Sequence, residues 1–178
     1  MLAYRSRPKR RTKLHNKPEI SLRNRALTLL ARREHSRFEL ARKLERIECD
    51  PEELSSLLDE FESKNWLSDR RFAQSYVADH RAREGAIKLA YALRQRGVSD
   101  ALIADALESL NERGDGELKR ARDVWRKKFG VALDSPQGRI EHTASERARQ
   151  MRFLLGRGFS SEIIRQVLRQ TEDESGNE

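Results

Sequence analysis

Hydrophobic residues between positions 86 and 107 recur with a helical period on both sides of a glycine. After the glycine, the apolar positions follow i, i+1, i+4, i+5 and i+8 spacing from Leu102 to Leu110, which predicts a helix rather than a strand. The preceding helix is predicted to end at Gly97, because glycine readily adopts the left-handed conformation that ends a helix. Ser99 is a suitable N-cap for the second helix.

The same helix–glycine–helix pattern occurs three times along the chain. A shift of 61 residues places Gly158 on Gly97, and the apolar positions on both sides then match. A shift of 49 residues in the other direction places Leu44 on Leu93. Three matching units predict a tandem helical repeat with an extended binding surface. The expected fold is therefore all-α, with three tandem three-helix repeats in an elongated, curved stack.

Capping residues and breaks divide the chain into segments. Ser21 is predicted to start a helix that runs to about residue 34, Ser36 and Glu39 form a capping box, and Asp50 caps the next helix. In the third repeat, helices are expected at 139–156 and 161–171. We expect a basic disordered arm at 1–20, unit 1 at 21–67, unit 2 at 68–114, unit 3 at 115–171 and an acidic disordered tail at 172–178.

The helical period also predicts which side chains are buried. Unit 1 should bury Phe38, Leu40 and Leu44, and unit 2 should bury Phe72. Cys49 lies at an apolar position and is expected to be a small core residue. Because it is the single cysteine of the chain, an internal disulfide framework is excluded.

Composition and charge limit the choice of partner and compartment. Charged and hydrophobic residues each make up 37% of the chain, and the net charge of +8 favours polyanionic or acidic partners. No apolar run approaches membrane-spanning length, and the basic N-terminus lacks the apolar segment of a secretory signal. We expect a soluble cytoplasmic protein without a membrane partner. The basic arm is either a contact to nucleic-acid phosphates or a solubilising tail.

Several motifs in this order resemble the RecX family of recombinase regulators. They are LARREHS at 30–36, Glu39-Leu40, Lys43-Leu44, Leu67-Ser68-Asp69, Arg71-Phe72-Ala73, Arg81, Gly85, Ile87, Leu93 and Arg96-Gly97, within a pattern that covers about residues 22–170. The resemblance implies a non-enzymatic, all-helical protein that binds along the groove of the RecA–single-stranded DNA filament. It also implies inhibition of strand exchange, ATP hydrolysis and co-protease activity, and thus modulation of DNA repair and the SOS response. The expected partners are the RecA filament, single-stranded DNA and, secondarily, duplex DNA, and the expected state is a monomer.

The residues themselves offer no catalytic constellation. The four histidines are scattered, no Cys/His spacing suits zinc, and no glycine-rich loop follows a strand. We therefore expect no enzyme activity, no cofactor and no metal. The rival interpretation is a helix-turn-helix transcriptional regulator. Against it, the helix after the turn, DALIADALESL, carries no Lys or Arg to meet DNA phosphates.

Basic residues gather on the other two helices of each unit, and their recurrence predicts a shared basic face. Its candidate partner- or DNA-binding residues are Arg33, Arg37, Arg71, Arg81, Lys88, Arg94, Arg149 and Arg152. Arginine can bind DNA phosphates or acids on a recombinase with paired donors. The sequence leaves open which of these residues would contact DNA and which protein.

Overall fold

The computed structural model describes residues 21–46, 50–112, 116–130 and 143–176, which form nine α-helices without a strand. The helices are α1 Leu22–Leu30, α2 Arg37–Leu44, α3 Pro51–Ser63, α4 Asp69–His80, α5 Ala86–Arg94, α6 Asp100–Glu112, α7 Glu117–Phe129, α8 Ala144–Gly156 and α9 Ser161–Gly176. The predicted all-α class with three three-helix units is confirmed. The basic arm and Cys49 lie outside the described residues.

The predicted caps by Ser36 and Asp50 are both present, but the reciprocal half of the capping box is not, because the carboxylate of Glu39 accepts from Arg33 and Arg96 instead. The hydroxyl of Ser36 accepts a hydrogen bond from the amide of Glu39 at 3.0 Å, and the carboxylate of Asp50 accepts one from the amide of Glu52 at 3.0 Å. Each cap satisfies an amide that has no partner inside its own helix.

Each unit buries a separate hydrophobic cluster. Unit 1 packs α1, α2 and α3 around Phe61, unit 2 packs α4, α5 and α6 around Leu89 and Leu93, and unit 3 packs α7, α8 and α9 around Phe159. Phe72 is 3% exposed, which confirms the predicted face of α4. Because each unit has its own small core, the contacts between units determine how the surfaces of the three units are arranged.

Four further local predictions are wrong. Phe38 is 44% exposed because α2 buries Leu40 and Leu44 instead, and Phe38, two residues before Leu40, lies about 200° around the helix from it. Helix α1 ends at Leu30 because a tighter turn follows, in which the amide of Arg32 donates to the carbonyl of Leu29.

The other two differences concern unit 3. Helix α8 begins at Ala144, where Thr143 caps it, rather than at 139. Helix α9 continues to Gly176 and includes residues 172–176 of the expected disordered tail, because no glycine or proline interrupts the chain before Gly176.

Two glycine turns join neighbouring units in the same way. Gly97 and Gly158 follow α5 and α8 and have positive φ values of 76° and 85°. At the first turn, the hydroxyl of Ser36 donates to the carbonyl of Arg96 at 2.6 Å. There is no room for a side chain, because a Cβ on Gly97 would lie 2.6 Å from the Cβ of Phe38.

The second glycine turn receives the start of α5 through backbone bonds. The amide of Gly85 donates to the carbonyl of Arg157 at 2.8 Å, and the amide of Ile87 donates to the carbonyl of Gly158 at 3.1 Å. A Cβ on Gly158 would lie 2.3 Å from the Cβ of Lys88. The second helices α2, α5 and α8 therefore lie in succession, because the start of α2 meets the turn after α5 and the start of α5 meets the turn after α8.

Candidate functional site

Six of the eight predicted basic residues form ion pairs within the chain. The pairs are Arg33–Glu39 at 3.0 Å, Arg71–Glu34 at 2.9 Å, Lys88–Glu84 at 3.0 Å, Arg94–Asp100 at 2.6 Å, Arg149–Glu146 at 3.3 Å, and Arg37 with Asp59 at 2.6 Å and with Glu62. A phosphate or a partner carboxylate would have to compete with these acids. The predicted residues therefore do not form a uniformly free basic face.

The two remaining predicted residues lie in different environments. Arg81 is half-buried and lines a small hollow between α4 and α6 with Gln74 and Ser109. Arg152 is exposed on α8 and, within the part of the chain that the structure describes, pairs with no carboxylate. Of the eight residues, Arg152 is thus the most available to an anionic partner.

Arg71 joins units 1 and 2. Its Nε donates to Glu34, and its Nη1 donates to the side-chain oxygen of Asn65 at 2.6 Å. Arg96, which the sequence prediction did not select, donates from Nε to Glu39 at 3.1 Å, and its guanidinium lies 4.7 Å from the centre of the Tyr76 ring. The position of Arg96 next to a helix-ending glycine was the available sequence signal for this role.

A neutral histidine is buried beside this junction. His35 is 2% exposed, with Nδ1 3.0 Å from the carbonyl of Arg33 and Nε2 2.7 Å from the ammonium of Lys43. Because an ammonium only donates, Nε2 accepts, and the ring proton on Nδ1 is donated to the carbonyl. Burial lowers the pKa of His35, and the nearby charges of Arg33 and Lys43 lower it further. Burial also lowers the pKa of Lys43.

A cleft of about 260 Å³ lies between units 1 and 2. It is lined by Arg33, Glu34, Glu39, Phe72, Ser75, Tyr76, Asp79, His80 and Arg96. His80 stacks on Tyr76 with ring centres 4.0 Å apart, and Arg96 also lies over Tyr76. The side chains of His80 and Arg96 therefore cover the Tyr76 ring, and the cleft is a packed polar junction.

The described residues contain neither a cluster of metal ligands nor a membrane-spanning helix. Nowhere in 21–46, 50–112, 116–130 or 143–176 do three His, Cys, Asp or Glu side chains lie close enough to hold a metal ion. Among the helices of the same residues, none combines the length and the apolarity needed to cross a membrane.

Charge is divided between the helices of each unit. The third helices are acidic: α3 has five carboxylates and α6 has four, both without Lys or Arg, and α9 has four carboxylates and two arginines. The second helices are basic: α2 and α8 each carry three cations and one carboxylate, and α5 carries two cations and no carboxylate. An excess of two positive charges thus recurs on the second helix of every unit.

Three of the exposed cations that the predicted basic face omitted lie together at the end of α7. Arg126, Lys127 and Lys128 are exposed in the last turn of this helix, where the helix dipole favours positive charge. The same end meets α8, because Arg149 lies 5.9 Å from the centre of the Phe129 ring. We call Arg126, Lys127, Lys128, Arg149 and Arg152 the basic end of unit 3.

Comparisons with known proteins identify the three units individually. Family profiles described as the first, second and third three-helix domains of RecX match residues 23–61, 68–107 and 115–168. These matches cover more than half of the chain and occur in the family's order.

Individual relatives agree with the profiles. The chain is 42% identical over 159 residues to the regulatory protein RecX of Leptothrix cholodnii, covering 89% of this chain and 94% of that protein. It is 43% identical over 148 residues to the regulatory protein RecX of Chromobacterium violaceum, covering 83% and 89%. The crystal structure of RecX from Lactobacillus salivarius matches the fold with a TM-score of 0.69 at 20% identity, covering 85% of this chain and 94% of that one. The chain belongs to the RecX family of regulatory proteins.

Proposed function

We propose that this protein binds the RecA–single-stranded DNA filament and inhibits its recombinase, ATPase and co-protease activities, thereby modulating DNA repair and the SOS response. It does so as a cytoplasmic monomer, by binding alone, without a catalytic site or a cofactor. The observation that carries the proposal is the repeated charge pattern. A positively charged second helix in each of three family-matched units suits a long, negatively charged partner.

The basic end of unit 3 is the best candidate for a DNA contact. Arg126, Lys127 and Lys128 extend from one helix end, and Arg152 adds a cation from α8. Apart from Arg149, these cations pair with no carboxylate of the described residues, so binding to phosphates releases counterions without breaking an ion pair. The basic arm at 1–20 would add further phosphate contacts.

The rival function is sequence-specific duplex binding through a helix-turn-helix. The helices that follow the glycine turns are α6 and α9, and the sequence of α6 carries four carboxylates and no cation. Such a helix would repel the phosphates on both sides of a major groove. The charge pattern therefore favours the filament over a duplex site.

A capture experiment tests the proposal. The full chain is passed over immobilised single-stranded DNA that is either bare or coated with RecA in the presence of a slowly hydrolysed ATP analogue. We expect retention on the coated DNA at salt concentrations that release the protein from bare DNA. Equal retention on both would contradict a filament-specific partner.

A further inference from the structure

The exposed hydrophobic side chains are concentrated on the second helices. In the described residues, six large hydrophobic side chains are more than a third exposed, and five of these lie on α2, α5 or α8: Phe38, Ile87, Tyr91, Met151 and Leu155. Tyr91 and Ile87 are the most exposed, at 62% and 59%. We call these five residues the apolar row.

The unit junctions bring members of the row towards one another. Ile87 and Tyr91, like Met151 and Leu155, are four residues apart and share a helix face. Ile87 donates its amide to Gly158, and the amide of Gly158 donates to the carbonyl of Leu155 at 2.9 Å, so Ile87 and Leu155 flank one glycine turn. Phe38, which the 49-residue repeat shift places on Ile87, lies beside the other turn glycine, Gly97.

Cations border the row, and most of them are already paired. Lys88 and Arg94 are held by Glu84 and Asp100, and the guanidinium of Arg42 lies 5.6 Å from the centre of the Phe38 ring. An apolar centre with a charged rim is typical of protein–protein interfaces, in which Tyr, Met and Arg are enriched. The aliphatic members of the row are poor stacking platforms for bases, which bind mainly on aromatic rings. The surface therefore suits a protein better than a DNA strand.

We propose that the apolar row is the surface that docks on the RecA subunits of the filament, against an apolar patch with an acidic rim. This inference rests on the proposed function and assigns its protein contact, while the basic end of unit 3 is left for DNA. The net positive charge of α2, α5 and α8 complements an acidic rim. The recurrence of exposed apolar residues on three successive units suits a partner that itself repeats along an axis, as filament subunits do.

The test compares two double variants and one control in the full chain. Ile87→Ser with Tyr91→Ser removes the centre of the row, and Lys127→Ala with Lys128→Ala weakens the basic end of unit 3. The control is Trp66→Ser, because Trp66 is 43% exposed but lies outside the row after α3. Affinities are measured for RecA-coated and for bare oligothymidine, and circular dichroism melting verifies that each variant is folded.

We expect the row variant to bind RecA-coated DNA at least about tenfold more weakly, which corresponds to about 1.4 kcal/mol. Its affinity for bare DNA should stay within about twofold, whereas the lysine variant should lose affinity for bare DNA. An equal loss on bare DNA would make the row a nucleic-acid surface. Unchanged affinity of the row variant for coated and for bare DNA would show that the apolar row does not contact RecA. If the wild type is a dimer and the row variant is a monomer, the apolar row is a self-association surface. Each outcome overturns the inference, whereas failure of the wild type to bind coated DNA overturns the proposed function itself.

Discussion

The hydroxyl of Ser36 donates to the carbonyl of Arg96 across 60 residues of sequence while it accepts the amide hydrogen of Glu39. One fully buried side chain thus starts α2 and fastens unit 1 to the glycine turn of unit 2. The bond with Glu39 caps a helix and the bond to Arg96 holds two units together, so a substitution at Ser36 should affect both.

Ser36→Ala should destabilise the protein more than an ordinary cap deletion. The cap bond alone is worth about 0.5–2 kcal/mol, and the carbonyl of Arg96 would also lose its partner, at a cost of about 1–3 kcal/mol. The free energy of unfolding in urea measures the effect. Ser21→Ala is the matched control, because Ser21 caps α1 but is exposed. Equal losses for the two variants would show that the Arg96 contact contributes nothing.

Gly158→Ala should disrupt the junction between units 2 and 3. The positive φ of 85° strains an alanine, and its Cβ would collide with Lys88, so a loss above about 2 kcal/mol is expected. Gly156→Ala is the control, since a Cβ on this helical glycine would have no neighbouring atom within 4 Å and alanine favours the helix. Thermal unfolding should separate the two variants, and similar melting temperatures would contradict the structure of this turn.

Acidification should weaken the junction that contains His35. Since burial lowers the pKa of His35 in the folded protein, the unfolded chain binds a proton more readily below its ordinary pKa of about 6.5. Stability is then complete above this pH and falls as the pH drops towards the lowered value. Urea unfolding at pH 7.5 and 5.5 should show a smaller pH effect for His35→Gln than for the wild type. An equal pH effect in the two proteins would place the titrating group elsewhere.

Lys127→Ala with Lys128→Ala should reduce the salt dependence of binding to bare single-stranded DNA. Two fewer phosphate contacts would lower the slope of log affinity against log salt by about 1.4. Stability should change by less than about 0.5 kcal/mol per exposed site. Fluorescence anisotropy at several salt concentrations provides the slope. Lys64→Ala, which removes a cation already paired with Glu60, should leave the slope nearly unchanged.

Local chemistry made much of the fold predictable. The caps at Ser36 and Asp50 and the turns at Gly97 and Gly158 depend on residues within a few positions, so their spacing is visible in the sequence. The internal repeat of the helix–glycine–helix pattern predicted the grouping into three units, which the profiles confirm. Phe38 was assigned to the core because an exposed phenylalanine at a unit junction resembles a buried one in the hydrophobic pattern.

The candidate site was less predictable because its cations form ion pairs with residues that are far away in the sequence. Arg71 meets Glu34 across 37 residues, and Arg37 meets acids of α3, and neither contact has a sequence period. Local counterions also alter the design of variants. Lys88→Glu and Arg94→Glu would place new carboxylates beside Glu84 and Asp100, so alanine is the cleaner replacement at both positions.

The most direct measurement is the rate of ATP hydrolysis by RecA on single-stranded DNA as the concentration of this protein rises. We expect the rate to fall with saturation, with no preference for any DNA sequence. An unchanged rate, together with a duplex site bound about 10³-fold or more above random DNA, would contradict filament regulation and support a helix-turn-helix regulator instead.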